Sequence, residues 1–204
     1  MHLPDGIIPL NQAIRYTFIT IIILFIYFYK FTKTENVERS IVYIALWSTI
    51  TFLLTSLSIP SPFGVPIHFF LIPLVTVILG PVRGIFCSLF SLLAQTLILG
   101  MGGLLAFGAN FIVMGFVISI STYTFYNVLL EINEKIALFT STLIGIFFAV
   151  LAQSIILVLS GSITFDVILS TLIPYYLFIS IIEGILNLMI MGAIKKVKPE
   201  ILEI

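Results

Sequence analysis

The chain contains only two histidines, His2 and His68, and the first follows Met1 directly. A free amino terminus followed by histidine offers three nitrogens: the Met1 amine, the His2 amide and the His2 ring. Those three can close fused chelate rings around one metal ion. A deprotonated amide is a strong-field ligand, and tetragonal nitrogen geometry points to Ni(II) or Cu(II). His68 can supply a fourth nitrogen if the fold brings it close. The bland alternative is that His2 is an incidental solvated residue and His68 a hydrogen-bonded group at a span end. Cys87 is the only cysteine, so no disulfide or cysteine cluster is expected. It sits in an apolar run, where a buried thiol acts as a small hydrophobe.

The elements that must position these residues are membrane helices. Of 204 residues, 60% are hydrophobic and 9% charged, against about 25% charged in typical soluble domains. Apolar content runs through the whole length, so one all-α polytopic transmembrane bundle is expected over residues 1–204. A span needs about 20 mostly apolar residues. Long apolar runs punctuated by Gly, Pro or charge predict seven spans, with six the alternative count. They are Ile14–Tyr29, Ser40–Ile59, Ile67–Leu79, Val82–Leu99, Leu105–Val128, Ile136–Leu159 and Ile168–Ile194. The third is short and carries Pro73, which implies tilt, a kink or shelter by its neighbours. Residues 1–13 then form an extracytoplasmic amino-terminal segment, 14–194 the bundle and 195–204 a cytoplasmic tail. Met1 to Pro9 lack a basic stretch, and no small-residue cleavage site follows the first apolar run, so the amino terminus is expected to be retained.

Charge sets the orientation. Lys30, Lys33, Arg39, Arg83, Lys135, Lys195, Lys196 and Lys198 fall on one side under this span order, and Arg15 alone on the other. Positive residues mark the cytoplasm. The amino terminus is therefore expected outside and the carboxyl terminus inside, in a multi-pass protein of the cell membrane. Nine basic and nine acidic residues cancel, which gives no sign of a nucleic-acid partner. His68, at the outer start of the third span, shares the outer face with His2.

Polar residues within spans are costly and default to functional or packing roles. Asn110, Gln95 and Gln153 all lie near the outer ends of spans. Each can approach the histidines and orient an imidazole from a second layer, or it can bridge helices. Glu183 lies near the middle of the last span, too deep to join a site at the surface. Asn187 shares its helix face and Ser180 flanks it, so a hydrogen-bonded interior cluster is expected there.

Three stretches resemble the cobalt and nickel transport proteins of CbiM/NikM type. They are Met1-His2-Leu3-Pro4-Asp5-Gly6, then Gly102-Gly103-Leu104-Leu105-Ala106-Phe107-Gly108-Ala109-Asn110 with Met114-Gly115, and Glu183-Gly184. The resemblance covers nearly the whole chain. It implies a substrate-capture component of an energy-coupling-factor importer, holding Ni2+ or Co2+ as transported substrate, with no organic cofactor and no enzymatic activity. It also implies four nitrogen ligands from Met1, His2 and His68. The implied partners are a transmembrane coupling subunit, two ATP-binding subunits and a small accessory membrane protein, all within the lipid bilayer. One departure stands out: Phe63-Gly64-Val65-Pro66-Ile67 precedes His68, where the family commonly has small hydroxyl residues.

No Gly-x-x-x-x-Gly-Lys-Ser/Thr loop is present, so energy for active transport would come from partner chains. The alternative reading is a membrane capture component for an organic micronutrient such as a vitamin. That alternative requires a larger cavity lined by aromatic and polar groups. An intramembrane metalloenzyme is a third class, and a four-nitrogen site leaves it no open position for an activated water.

Overall fold

In the computed structural model, residues 1–57 and 68–202 are described. The expected outer loop 58–66, and Ile67 at the start of the third expected span, lie outside them. Six helices among the described residues are long and apolar enough to cross a bilayer. We label them α1 (Leu10–Phe31), α2 (Val37–Ser56), α3 (Ile72–Leu99), α4 (Phe107–Leu130), α5 (Glu134–Leu159) and α6 (Phe165–Val197). Helix covers the bundle from end to end, and no strand occurs among the described residues.

The expected third span is the one that differs. Its helical part is only 72–79, the first arm of α3. Eight residues at about 1.5 Å each span about 12 Å, well short of a bilayer core. Gly80 then takes φ 80° and ψ 166°, which breaks the helix, and Pro81 starts the second arm, 81–99. Positive φ favours glycine, and proline suits a helix start because its missing N–H needs no partner there. The two arms run side by side. A Cβ on Gly84 would lie 3.0 Å from the Cα of Thr76, eight residues earlier; a continuous helix would separate the two by about 12 Å. The third and fourth expected spans are thus the two arms of one element, α3, and the described residues hold six long apolar helices where seven spans are expected.

Helix α2 and the second arm of α3 run in parallel. Arg83 Nε donates to Ser40 Oγ at 2.9 Å, Cys87 Sγ lies 3.6 Å from the Ile44 carbonyl, and Gln95 Nε2 donates to Thr55 Oγ1 at 2.6 Å. Helix α5 packs against α4 through Gly145, where any Cβ would collide with Thr122 Oγ1. Small residues let membrane helices approach closely in this way. Outward faces are apolar, as at Phe18, Phe25 and Ile155, which suits lipid as the solvent.

One end of the bundle gathers the amino-terminal segment, the ends of α2, α3 and α5, and the start of α4. Gln12 Nε2 donates to the Leu159 carbonyl at 2.9 Å, and Ser162 Oγ donates to the Ile7 carbonyl. The opposite end holds the Lys195–Glu134 ion pair and the Arg83–Ser40 contact.

Candidate metal-binding site

The amino-terminal segment enters the bundle instead of lying on it. Leu3 is 3% exposed and Ile8 is also buried. A segment without helix or strand must find partners for its backbone polar groups once water is excluded. Asn110, on the first turn of α4, supplies two of them. Leu3 N–H donates to Asn110 Oδ1 at 2.7 Å, and Asn110 Nδ2 donates to the Leu3 carbonyl at 3.0 Å. Asp5 Oδ1 accepts the Ala106 N–H at 2.9 Å, just before the same helix. Gly102 and Gly103 leave the space the segment occupies. A Cβ on Gly102 would lie 2.8 Å from Asn110 Nδ2, and one on Gly103 2.6 Å from the Asp5 backbone nitrogen.

His2 is held by its ring. Its Nε2 lies 3.0 Å from Gln95 Oε1, and Gln95 spends its own N–H on Thr55. The Thr55 hydroxyl in turn donates to the Thr51 carbonyl at 2.6 Å. This chain leaves Gln95 Oε1 as an acceptor, which fixes the proton of His2 on Nε2 and frees Nδ1. Nδ1 is the nitrogen that can close a six-membered chelate ring with the His2 backbone nitrogen. The Met1 amine can close a five-membered ring on the other side of that nitrogen.

His68 meets this group from the other direction. It lies just before α3, and its ring hydrogen-bonds the Thr55 backbone. Met1, His2 and His68 line one cavity of about 260 Å³ together with Met101, Gly102, Tyr175, Tyr176 and Ile179. Burial favours the neutral form of each base. The Met1 amine is lowered from 8.0 to about 5 by desolvation. His2 is lowered from 6.5 to about 4, first by burial and then by the charge of the terminal amine, against the Gln95 bond that raises it. His68 is lowered too, by burial and the same amine. All three are free bases at neutral pH, with lone pairs available to a cation. Among the described residues, no three His, Cys, Asp or Glu side chains come together as a metal cluster. The candidate donors here include a terminal amine and a backbone nitrogen, which a count of side chains misses.

The structure sorts the other expected residues. Gln95 contacts the His2 ring, and Asn110 grips the backbone of Leu3 instead of an imidazole. Gln153 does not line the cavity. It is buried on α5 and its Oε1 has no partner. The expected cluster around Glu183 does not form either. Asn187 Nδ2 donates to Thr142 Oγ1 and Ser180 Oγ to the Leu177 carbonyl. Glu183 instead accepts the Phe70 N–H at Oε2 and the Leu71 N–H at Oε1, each at 2.9 Å. It reaches the His68 segment because that segment descends to the middle of α6. The role of Thr55 was also hidden, since an ordinary helix threonine carries no signal for a partner on another helix.

Six apolar helices among the described residues define a multi-pass membrane protein, with a cavity at one end lined by Met1, His2 and His68. The chain belongs to the CbiM family, described as the cobalt uptake substrate-specific transmembrane region, which matches residues 2–201. Among its relatives, the cobalt transport protein CbiM of Lachnoclostridium phytofermentans is 28% identical, over 94% of this chain and 80% of that one. The putative fused nickel transport protein NikMN of Archaeoglobus fulgidus is 25% identical, over 100% of this chain and 68% of its own length. In fold, the chain resembles a truncated transition metal transporter, with a TM-score of 0.86 at 23% identity, covering 96% of this chain and 99% of the other. Its relatives are transport proteins, and it is a transport component of the membrane, not an enzyme.

Proposed function

We propose that this chain is the substrate-capture component of an ATP-driven importer for nickel or cobalt. The ion is taken at the outer face by four nitrogens: the Met1 amine, the His2 amide and ring, and the His68 ring. The observation that carries this reading is the convergence of Met1, His2 and His68 on one cavity as neutral bases. Gln95 supports it by leaving His2 Nδ1 free for the chelate. The relatives named for cobalt and for nickel transport support the class of ion, and the same nitrogens accept both metals.

Each donor has a part. The amine and the ring bind as free bases, and the amide binds after giving its proton to water, which adds the in-plane charge that favours a tetragonal site. Asn110 and Asp5 hold the segment in place, so little ordering is left to the moment of binding. The cavity lies at the end of the bundle opposite Lys195 and Arg83, and the clustering of positive residues away from it supports an outward-facing site. With no phosphate-binding loop in the chain, energy comes from a coupling subunit and two ATP-binding subunits, with a small accessory membrane protein as a further partner. The space beside the histidines, about 260 Å³, is below the ~300–1,000 Å³ of pockets for drug-sized ligands, so the organic-micronutrient reading gains no support there.

Titration of the purified protein with Ni(II) and Co(II), for wild type and for His2→Ala and His68→Ala, tests the proposal. Tight one-to-one binding that weakens in both variants is expected. Equal affinity in all three proteins would sink the ligand set.

A further inference from the structure

Glu183 is fully buried near the middle of α6, and nothing in the four-nitrogen chelate uses it. An acidic side chain at this depth is expensive to keep in a membrane and needs a specific partner. Its partners are two consecutive backbone amides, Phe70 and Leu71, both at 2.9 Å. Those amides belong to the non-helical stretch between His68 and the first turn of α3. Leu71 adopts φ 55°, a left-handed conformation that costs a branched residue energy and persists only when its surroundings impose it. The Glu183 carboxyl satisfies amides that would otherwise be buried without partners at a helix start. It also holds the turn that sets how far His68 projects toward Met1 and His2. Phe70 adds a second tie to α6, with its ring centroid 6.2 Å from that of Tyr176, which lines the same cavity.

We propose that Glu183 is the positioning residue for His68. Through the Phe70 and Leu71 amides it places the fourth nitrogen in register with the three supplied by Met1 and His2. The inference rests on the reading of His68 as a ligand. It differs from a purely structural role for Glu183, in which the side chain stabilises the bundle without affecting the geometry of the donors.

A double-mutant cycle separates the two, using the full chain in detergent with Ni(II) for affinity and Cu(II) for its visible ligand-field band. Glu183→Ala is expected to weaken Ni(II) binding by about 10- to 100-fold, the usual effect of losing a residue that orients a ligand. It should also shift the Cu(II) band to the position seen in His68→Ala. Glu183→Gln keeps one acceptor oxygen but turns an N–H toward the second amide, and should fall between wild type and Glu183→Ala. It also serves as the variant to read if the alanine protein does not fold. In the His68→Ala background, either change at Glu183 should have no further effect on affinity or band. Additive loss in the double variant would overturn the proposal, as would a wild-type band in a folded Glu183 variant. If His68→Ala itself bound like wild type, the ligand set would fail together with this inference. Normal weakening in His68→Ala with no effect at Glu183 would overturn the inference alone.

Discussion

Removal of the Asn110 side-chain amide is the most informative perturbation of the docked terminus. Asn110→Leu fills a similar volume but takes away two hydrogen bonds, at 2.7 and 3.0 Å, from a backbone that is almost fully buried. Each buried group left unpaired costs about 1–3 kcal/mol. Part of that is recovered if water follows the loosened segment, so about 2–4 kcal/mol is a fair net loss for the pair. At about 1.4 kcal/mol per tenfold, docking should weaken by roughly 30- to 1,000-fold. Hydrogen exchange at the Leu3 amide reads this directly, because that proton is the one held by Asn110. Exchange there should accelerate by about that factor, while amides of α5 such as Ile146 keep their protection. Asn110→Asp keeps the acceptor and loses the donor, so it should lie between. Unchanged protection of Leu3 in a folded Asn110→Leu protein would refute the idea that this side chain holds the terminus.

Other outcomes follow from the same geometry. Gly103→Ala should expel the amino-terminal segment and abolish high-affinity metal binding without unfolding the bundle, because its Cβ meets Asp5. Gly100→Ala, with open space around it and only a φ of +65° to strain, should be much milder, and calorimetric titration compares the two. Gln95→Leu should cost about 10- to 100-fold in affinity by freeing the His2 ring, a loss visible in the same titration. The pH response follows from two bases whose values are lowered in the docked state. The docked segment carries fewer protons, so docking is fully stable above about 8 and weakens as pH falls. The undocked form takes up about one more proton between 8.0 and 6.5, and about two between 6.5 and 5. Leu3 exchange, corrected for the intrinsic pH dependence, should show that increasing slope, and a flat profile would contradict it.

The helices and the meeting of the two histidines were legible because they depend on local pattern and charge asymmetry. Apolar runs, Gly80-Pro81 and the side on which lysines accumulate need no tertiary knowledge. The depth of the site was not legible. Counting along a straight helix puts Glu183 too deep for a site at the surface, whereas the segment before α3 descends to meet it. The third span misled for a related reason. Its apolar run extends from Ile67, but Glu183 grips the chain at Phe70 and Leu71, so helix begins only at Ile72. The Gly102-Gly103 pair was recognisable as a motif, yet its purpose is visible only with Asp5 and His2 lying against it. Gln95 and Gln153 carry the same side chain near corresponding ends of their helices, and both are buried, but α5 contributes no residue to the cavity, so only the first meets His2.

The central claim is that the amino terminus itself is a ligand. Blocking that one amine, by acetylation or by a short residue extension, removes a donor while leaving every side chain in place. Ni(II) titration of the blocked and unblocked proteins should show affinity lost on blocking, along with loss of the four-nitrogen ligand-field band. Full affinity with the amine blocked would contradict the account.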